Sequence, residues 1–363
     1  MKIAVSKVLE SCRDVGLEVE MEPSSHDPTI ERIAAVQSCA PGDLVFADSP
    51  KLLDIALARA PSAIVLSRKL RAKLGALPPG IVVLVTPTVP LAHAFIKQRF
   101  AARDFAEADW SGPIHPSAVV HESAVLDTTV VVEPLAVIGR GVRIGKGARI
   151  MSGAVVEHDA QIGSGTVVHP SAVVGYRCRI GADCVIGPGS IIGAEGFGFA
   201  QDATGRSHPI PQTGIVVLED RVRLGAGNCI DRATYGETRI GAGTKFDNLC
   251  HVAHNVEIGE DCLLTAMFCV AGSSRIGRRV MASGQTGIID HMNVCDDAVL
   301  VHRAGVVKDI DAPGVYAGLP TQPLEDYLRN TAALRKGAEL RKRVSDLETR
   351  IESAAVPEPK NEA

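Results

Sequence analysis

A period of six residues runs through the middle of the chain and restricts its fold more than any other feature. Aliphatic residues occupy every sixth position from Val120 to Ile192, and the period resumes at Leu224, slips by four residues after Ile230, and continues to Val306. Such repeats are typical of a parallel β-helix, in which three repeats form one triangular coil of about 18 residues. Each buried aliphatic side chain then stacks on its counterpart in the next coil, about 4.8 Å away. The sequence therefore predicts a β-helix of about nine coils.

Composition agrees with this fold and excludes several classes of partner. The 35 Gly, many directly after the periodic residue as in IGRGVR and IGKGAR, supply the backbone freedom that tight corners need. A net charge of −4 gives no basic field for nucleic acid or an anionic membrane. The nine Cys contain no CxxC pair, the first residues lack a signal peptide's apolar core, and no apolar run is long enough to span a membrane. We therefore expect a cytoplasmic protein with reduced thiols and no membrane span.

The period also divides the chain. Residues 1–105 lack it and alternate strand-like and helix-like runs, which predicts a small α/β domain. We expect a linker over 106–114, the β-helix over 115–319, a C-terminal helical segment over 320–353 and a disordered tail over 354–363. Within the helical segment, Leu340, Val344, Leu347 and Ile351 form one short apolar seam, on the same subunit or against a partner. The predicted fold class is mainly β.

Two places where the period breaks or polar residues cluster are candidates for function. One is the loop GAEGFGFAQDATGRSHPIPQTG over 193–214, and the other is DNLCHVAHNVEIG over 247–259. In the second stretch, His254 follows the inward Val252 by two positions, so we expect it at a corner of the coil. Gly272 lies 18 residues, or one coil, after His254, and His291 lies 37 residues after it. A His beside an open Gly amide offers a general base next to an oxyanion donor, as acyl transfer to an amine requires. From the pattern alone, a solvated coil corner is the alternative.

The order of several motifs is more specific than the repeat. GFGFA, IPQTGIVVLEDRVRLGAG, IDRATYGETRIGAGTKFDNLCHVAHNVEIG, VAGSSRIG, DHMNVC and GVYAGLPTQP together resemble the UDP-3-O-acylglucosamine N-acyltransferases of lipid A biosynthesis, over residues 115–335. The resemblance implies a homotrimer of left-handed β-helices with active sites between subunits. It also implies transfer of a 3-hydroxyacyl group from acyl carrier protein to the 2-amine of UDP-3-O-acylglucosamine. No cofactor is then bound permanently, since phosphopantetheine arrives on the carrier protein.

The resemblance also implies roles for individual residues. His254 of the AHNV element corresponds to the general base, and Gly272 of the AGS element to the amide that holds the thioester oxygen. Asp247 of the DNL element is expected to orient or polarise the site, and Asn248 beside it to contact substrate. His291 corresponds to a second His with a supporting role at the acyl or pantetheine end.

Some positions depart from the family pattern. The family's uracil-binding segment resembles F-x-x-N-P-x-Y, whereas FADSPKL here keeps Phe46 but has Ser49 and Leu52 in place of the Asn and the Tyr. One stacking face and one bidentate amide are therefore missing from the expected uridine site. His251 stands where a Gln is common, and is expected to contact a substrate hydroxyl or pyrophosphate, or to be a spectator.

An acidic carrier protein requires positive charge near the site, and RIGRR at 275–279 with Arg303 and Lys308 is the expected patch.

Three alternatives stay open at this point. One is a related hexapeptide acyltransferase that acts on another nucleotide amino sugar, for instance with acetyl coenzyme A. Another is a trimeric metal hydratase with His251, His254 and His291 on zinc. His251 and His254 are three apart on an extended chain and point to opposite faces, which argues against shared coordination and predicts no metal. The third is a non-catalytic scaffold.

Overall fold

The computed structural model describes residues 2–24, 26–75, 78–101, 110, 112–301, 303–317 and 324–354. Its contacts divide the chain into two compact units, Met1–Asp109 and Trp110–Ala363. Residues 106–109 and 111 of the expected linker, 320–323 of the expected helical segment and 355–363 of the expected tail lie outside the described residues.

The first unit is a small α/β domain. Its five-stranded sheet has the order Glu20–Met21, Val82–Thr86, Ala63–Ser67, Asp43–Ala47, Arg32–Ile33; the first pair is antiparallel and the others are parallel. Apolar clusters cover both faces of the sheet, as expected for parallel strands. A strand pair, a 3₁₀ turn and four helices complete the unit: Ile3–Ala4 with Thr29–Ile30, Val36–Ser38, Val5–Asp14, Pro50–Arg59, Arg68–Arg71 and Val89–Ala101.

The second unit is a parallel β-helix whose strands form three faces, here called face 1, face 2 and face 3 in chain order. Face 1 has ten strands: Val119–Val120, Val137–Ile138, Val155–Val156, Val173–Val174, Ile191–Ala194, Cys229–Asp231, His251–Val252, Cys269–Val270, Gly287–Ile288 and Gly305–Val306. Face 2 has nine: Val125–Leu126, Arg143–Ile144, Gln161–Ile162, Arg179–Ile180, Ile215–Leu218, Glu237–Ile240, Glu257–Ile258, Arg275–Ile276 and Asn293–Val294. Face 3 has ten: Val131–Val132, Arg149–Ile150, Val167–Val168, Val185–Ile186, Arg223–Leu224, Lys245–Phe246, Leu263–Leu264, Met281–Ala282, Ala298–Val301 and Gly314–Ala317.

Successive coils are hydrogen-bonded in register, mostly at an offset of 18 residues. Ile138 pairs with Val156, and Val156 with Val174. The periodic residues from Val132 to Val306 point inward and form one continuous core, which confirms the fold-class prediction of a left-handed β-helix. Sequence periodicity therefore fixed which side chain of each strand is buried.

Glycine serves the corners in two different ways. Gly141 has φ +68°, the left-handed conformation that a corner requires, yet Leu135 adopts φ +61° at the equivalent position of the preceding corner. At Gly187 only glycine fits, because a Cβ there would lie 2.0 Å from the Gly225 carbonyl oxygen. The Gly that directly follows a periodic residue is thus needed because neighbouring coils approach closely there, in addition to the backbone freedom predicted for the corners.

Both breaks in the period fall at the corner between face 1 and face 2, called corner 1–2 below. The chain leaves face 1 after Ile191–Ala194, forms a hairpin of Phe199–Gln201 and Ser207–Pro209, and enters face 2 at Ile215–Leu218. One coil later, four extra residues precede Glu237–Ile240, so that Cys229 pairs with His251 at an offset of 22.

The C-terminal segment contains helices Leu324–Arg335 and Gly337–Ala354. The four seam residues Leu340, Val344, Leu347 and Ile351 of the second helix are between 45% and 69% exposed in the single chain. Within the described residues, no helix combines the length and the apolar character needed to cross a membrane.

Candidate active site

His254 lies at corner 1–2, two residues after the inward Val252, and is half-buried. Its ring rests against the backbone of Gly272 in the next coil: a Cβ on Gly272 would lie 2.7 Å from His254 Cε1 and 2.8 Å from Nε2. A side chain at position 272 would therefore displace the imidazole. The contact predicted from the 18-residue coil is present, and it requires glycine.

The Gly272 N–H can be compared with its equivalents, the N–H groups of the second residue after each inward position. In some coils a side-chain oxygen of a neighbouring coil accepts from this N–H, and in others, such as those of His158 and Ser164, no acceptor is found among the described residues. Asn248 accepts from Ala226, Asp247 from Ala266, and Asp296 from Arg278. No acceptor is found for the Gly272 N–H among the described residues. This donor is thus open beside the imidazole.

The neighbouring Asn255 fixes the tautomer of His254. Asn255 Nδ2 donates to the Tyr235 carbonyl at 2.9 Å, and its Oδ1 accepts from the Thr234 N–H at 3.0 Å, so the amide can have only one orientation. His254 Nδ1 lies 3.2 Å from that same Oδ1. Since Oδ1 can only accept, neutral His254 carries its proton on Nδ1, and Nε2 keeps its lone pair toward Gly272.

His291 lies on the same corner, two coils beyond His254. Its N–H donates to the Gly272 carbonyl at 3.0 Å, and its side chain is exposed. The backbone of His291 is therefore in contact with the residue that His254 touches.

Asp247 and Asn248 lie at a different corner. They follow Lys245–Phe246 of face 3 and precede His251–Val252 of face 1, so the width of face 1 separates them from His254 within one chain. Both are exposed, and both cap the corner: Asn248 Nδ2 donates to Asp247 Oδ1 at 2.8 Å, and each accepts a backbone N–H of a neighbouring coil. A single chain therefore does not bring Asp247 to His254.

Arg232 holds both ends of the 193–214 loop. This side chain is 1% exposed, and its guanidinium donates to the carbonyls of Gly193 at 2.9 Å and Gly214 at 3.2 Å. It also lies 3.5 Å from the centre of the Tyr176 ring. A buried cation is costly unless it is hydrogen-bonded, and here the carbonyls freed by the departing chain accept from it. Arg232 was not predicted as a site residue, although it lies in IDRATYG, one of the segments that carry the family resemblance.

The loop contacts corner 1–2 through Gly196. A Cβ on Gly196 would lie 2.9 Å from His254 Cβ and 3.0 Å from Gln212 Oε1. Gln212 is 2% exposed; its Nε2 donates to the Ile210 carbonyl, and its Oε1 accepts from Thr234 Oγ1 at 2.7 Å. The loop therefore packs on the His254 side chain and orders the segment that holds Asn255.

Large aromatic side chains are exposed around this corner. Phe197 is 83% exposed and contacts Phe199 at a centroid distance of 4.9 Å, and Tyr235 is 75% exposed. In a chain with only 4% aromatic residues, three exposed rings beside one half-buried imidazole give this corner an apolar rim.

Phe46 lines a cavity of about 480 Å³ in the first unit, together with Leu52, His93 and Lys97. Its ring stacks on His93 at 4.2 Å with an interplanar angle of 27°. Burial lowers the pKa of His93, and Lys97 adds to this effect, so the ring at this place is predominantly a neutral aromatic surface. Ser49 precedes helix Pro50–Arg59 without a side-chain cap hydrogen bond, and it is not among the residues that line this cavity.

The basic run 275–279 is neutralised by acidic partners. Arg278 pairs with Asp296 at 2.9 Å and Arg279 with Asp297 at 2.7 Å, each exactly one coil further along. For Arg303 and Lys308, no ion pair is found within the described part of the chain, and both are exposed. The expected positive patch is thus reduced to these two side chains.

His251 does not approach the other two histidines as a ligand set. In the described residues, the one group of His, Cys, Asp and Glu that could hold a metal consists of Cys229, Asp231 and His251, all on face 1. The zinc arrangement of His251, His254 and His291 that the hydratase alternative requires is not formed within one chain.

The known proteins similar to this chain include a relative that matches nearly its whole length. A UDP-3-O-acylglucosamine N-acyltransferase of Methylococcus capsulatus is 48% identical over 351 residues, 97% of this chain and 98% of the relative. An enzyme of the same name from Wolinella succinogenes is 44% identical over 143 residues, 39% of this chain and 45% of that protein. A family profile described as the GMPPB C-terminal domain matches residues 113–197, which are repeats of the β-helix.

Among solved structures, the UDP-N-acetylglucosamine acyltransferase of Arabidopsis superposes with a TM-score of 0.51 at 23% identity. The match covers 60% of this chain and 76% of that chain. At this identity the likeness concerns the fold, which is the same β-helix.

The position of Arg232 leads to a prediction about the loop. Arg232→Met removes the donors to Gly193 and Gly214, and hydrogen bonds to a charged group contribute about 1.5–3 kcal/mol each. We expect the free energy of unfolding, measured in urea, to fall by about 3 kcal/mol. We also expect trypsin to cleave faster after the exposed Arg206 of the hairpin. Arg143→Met, on the outer side of face 2, is the control; equal cleavage rates in both variants would show that Arg232 does not hold the loop.

Proposed function

Because this chain belongs to the UDP-3-O-acylglucosamine N-acyltransferase family, we propose that it transfers a 3-hydroxyacyl chain from acyl carrier protein to the 2-amine of UDP-3-O-(3-hydroxyacyl)glucosamine. The reaction would serve lipid A biosynthesis in a Gram-negative bacterium. The observation that carries the proposal is the contact of the His254 ring with Gly272, which places a ring nitrogen beside an open backbone N–H.

This geometry supports a complete transfer step. The 2-amine nitrogen attacks the thioester carbonyl carbon, and His254 Nε2 takes a proton from the amine as the C–N bond forms. The Gly272 N–H donates to the oxygen of the tetrahedral intermediate. When the C–S bond breaks, the proton on His254 passes to the departing phosphopantetheine thiolate. Asn255 keeps Nδ1 protonated, so that Nε2 is available as the base.

We propose that the active enzyme is a homotrimer, in which Asp247 of one subunit completes the site of another. Exposed apolar side chains surround Asp247 on face 3 and its corner: Leu249 is 57% exposed, Met267 47%, Leu263 46% and Met281 48%. Such a contiguous apolar surface on a single chain is typical of a subunit contact. In that arrangement Asp247 and Asn248 would face the substrate, and His291 would lie toward the acyl or pantetheine end.

The carrier protein would supply the acyl group on phosphopantetheine, so we propose that the enzyme holds no cofactor of its own. Arg303 and Lys308 are the remaining candidates for attracting the acidic carrier, since the 275–279 run is already paired. All nine cysteines are free thiols, which supports a reducing cytoplasm as the place of action.

For the uridine nucleotide we propose the cavity at Phe46. Phe46 and His93 together offer aromatic surface, and Lys97 offers a positive charge for a phosphate. His93 would then replace part of the stacking surface that the family's Tyr provides, where this chain has Leu52. The role of His251 as a substrate contact stays a prediction.

The first test is a mass-spectrometric transfer assay on purified protein. UDP-3-O-acylglucosamine is offered with a panel of 3-hydroxyacyl carrier proteins and with acetyl coenzyme A, and we expect a mass gain from a 3-hydroxyacyl donor. His254→Ala should fold and assemble normally but lose about 10²–10⁴-fold in kcat, the usual contribution of a general base. The control is His158→Ala, since His158 occupies the same position of the same corner further down the helix. Transfer from acetyl coenzyme A alone, or near-normal turnover without His254, would contradict the proposal.

Gly272→Ala tests the contact itself. A methyl group 2.7 Å from His254 Cε1 must displace the ring, so kcat should fall at least about tenfold while the thermal unfolding temperature changes little. Gly305→Ala, on face 1 with open space around its Cβ position, is the matched control and should keep full activity. Equal kcat values for the two variants would remove Gly272 from the mechanism.

The nucleotide site is tested by restoring the family's residues. Ser49→Asn with Leu52→Tyr should tighten UDP binding in isothermal titration calorimetry, because the Tyr adds a second ring to the cavity that Phe46 lines and the longer Asn side chain extends from the residue next to Asp48 of that lining. Lys51→Asn, an exposed position of the same helix, is the control. If UDP affinity is the same in all three proteins, the first unit contacts the nucleotide in another way.

A further inference from the structure

Cys229, Asp231 and His251 form a compact group on the outer side of face 1. One ligand atom from each, a thiol sulfur, a carboxylate oxygen and a ring nitrogen, lies within 4.8 Å of the others. Cys229 and Asp231 are two residues apart on one strand and therefore point to the same side, and His251 pairs with Cys229 in the next coil. The register of the β-helix, and not a flexible loop, brings the three together.

Asp231 is the least satisfied member of the group. Its side chain is 7% exposed, and its Oδ2 lies 3.7 Å from His251 Nε2, which is beyond hydrogen-bond distance. Within the described residues, the one donor found for its carboxylate is the weak thiol of Cys229, 3.6 Å from Oδ1. The buried carboxylate of Asp231 and the partly exposed thiol of Cys229 thus face each other, and no cation is hydrogen-bonded to the carboxylate within the described residues.

We propose that these three side chains bind a divalent transition-metal ion of the zinc class. Thiolate, imidazole and carboxylate are the ligand types that Zn²⁺ and Co²⁺ take in tetrahedral sites, at about 2.3 Å for sulfur and about 2.0–2.2 Å for nitrogen and oxygen. Small side-chain rotations from the present separations reach these distances. His251 is half exposed, so solvent can enter the fourth position.

This site adjoins the transfer site, because Asp231 lies close enough to His254 for the two charges to interact. His254 follows His251 by three residues, lies at the corner and contributes no ligand. The proposed transfer step needs no metal, so this inference does not depend on it. It differs from the expectation that no metal is bound, because that expectation rested on the missing CxxC pairs and on three histidines and did not consider Cys229 together with Asp231.

The same geometry has one competing explanation. A protonated His251 could approach Asp231 and form an ion pair that satisfies the carboxylate without any metal. The two explanations differ in what Cys229 does: the ion pair does not need the thiol, whereas a metal site does.

The test is titration of the apo protein with Co²⁺, followed by absorption spectroscopy and equilibrium dialysis. We expect one Co²⁺ per chain, with a thiolate-to-cobalt charge-transfer band in the near ultraviolet and d–d bands of tetrahedral intensity, all removed by excess Zn²⁺ or a chelator. Cys229→Ser should abolish the charge-transfer band and weaken binding at least about tenfold. His251→Gln should weaken binding comparably.

Cys295→Ser is the control, because Cys295 is another partly exposed thiol outside the group, and it should leave the spectrum and the affinity unchanged. His251 is exposed, so His251→Gln keeps the test valid even if a change at buried Asp231 prevents folding. Absence of stoichiometric Co²⁺ binding, or binding that is the same in Cys229→Ser and His251→Gln as in the parent, would overturn the proposal.

Discussion

Hydrogen-bonded stacking of one coil on the next is the constraint on which every other feature of the second unit depends. Because each strand pairs in register with the strand one coil away, the position of a side chain on the outer surface follows from its place in the repeat. His254 meets Gly272 for this reason alone. A regular stack, however, offers the same surface at every coil, so a site can form only where the stack is interrupted or where one residue differs from its equivalents.

Corner 1–2 satisfies both conditions. The chain leaves the stack there twice in succession, and each departure frees carbonyl groups that must be satisfied inside the protein. The buried guanidinium of Arg232 satisfies those at both ends of the loop, and the loop in turn packs on His254 through Gly196. Arg232, which holds the ends of the loop, thus helps to determine where the His254 imidazole can lie. At the position equivalent to Arg140, His158 and Tyr176 on this corner, residue 272 is a glycine, and its N–H has no acceptor among the described residues.

Sequence reasoning succeeded where the repeat determines the answer. The offsets of 18 and 37 residues placed Gly272 and His291 on the corner of His254, and the period selected the buried residues of the β-helix. The same 18-residue offset places Asp296 and Asp297 one coil from Arg278 and Arg279, so the net charge of the 275–279 surface is lower than the charge of the run itself.

The roles of Arg232, Gln212 and Asn255 could not be predicted from the sequence, because they arise from contacts across an irregular loop that has no period. The stacking of His93 on Phe46 could not be predicted either, because the two residues are 47 positions apart in a unit without repeats.

The separation of Asp247 from His254 bears on how the site is completed. The β-helix is a rigid prism, and the two residues lie at opposite edges of face 1, so no side-chain rotation within one chain can join them. Asp247 already caps the Ala266 N–H, which is sufficient reason for an acidic residue at that corner. If it also serves the reaction, it must do so from a second copy of the chain, and the exposed Leu249, Met267 and Leu263 beside it provide the apolar surface for such a contact. The two roles are compatible, because Oδ2 accepts from the Ala266 N–H and Oδ1 from Asn248 Nδ2, which leaves Oδ1 a further lone pair for substrate.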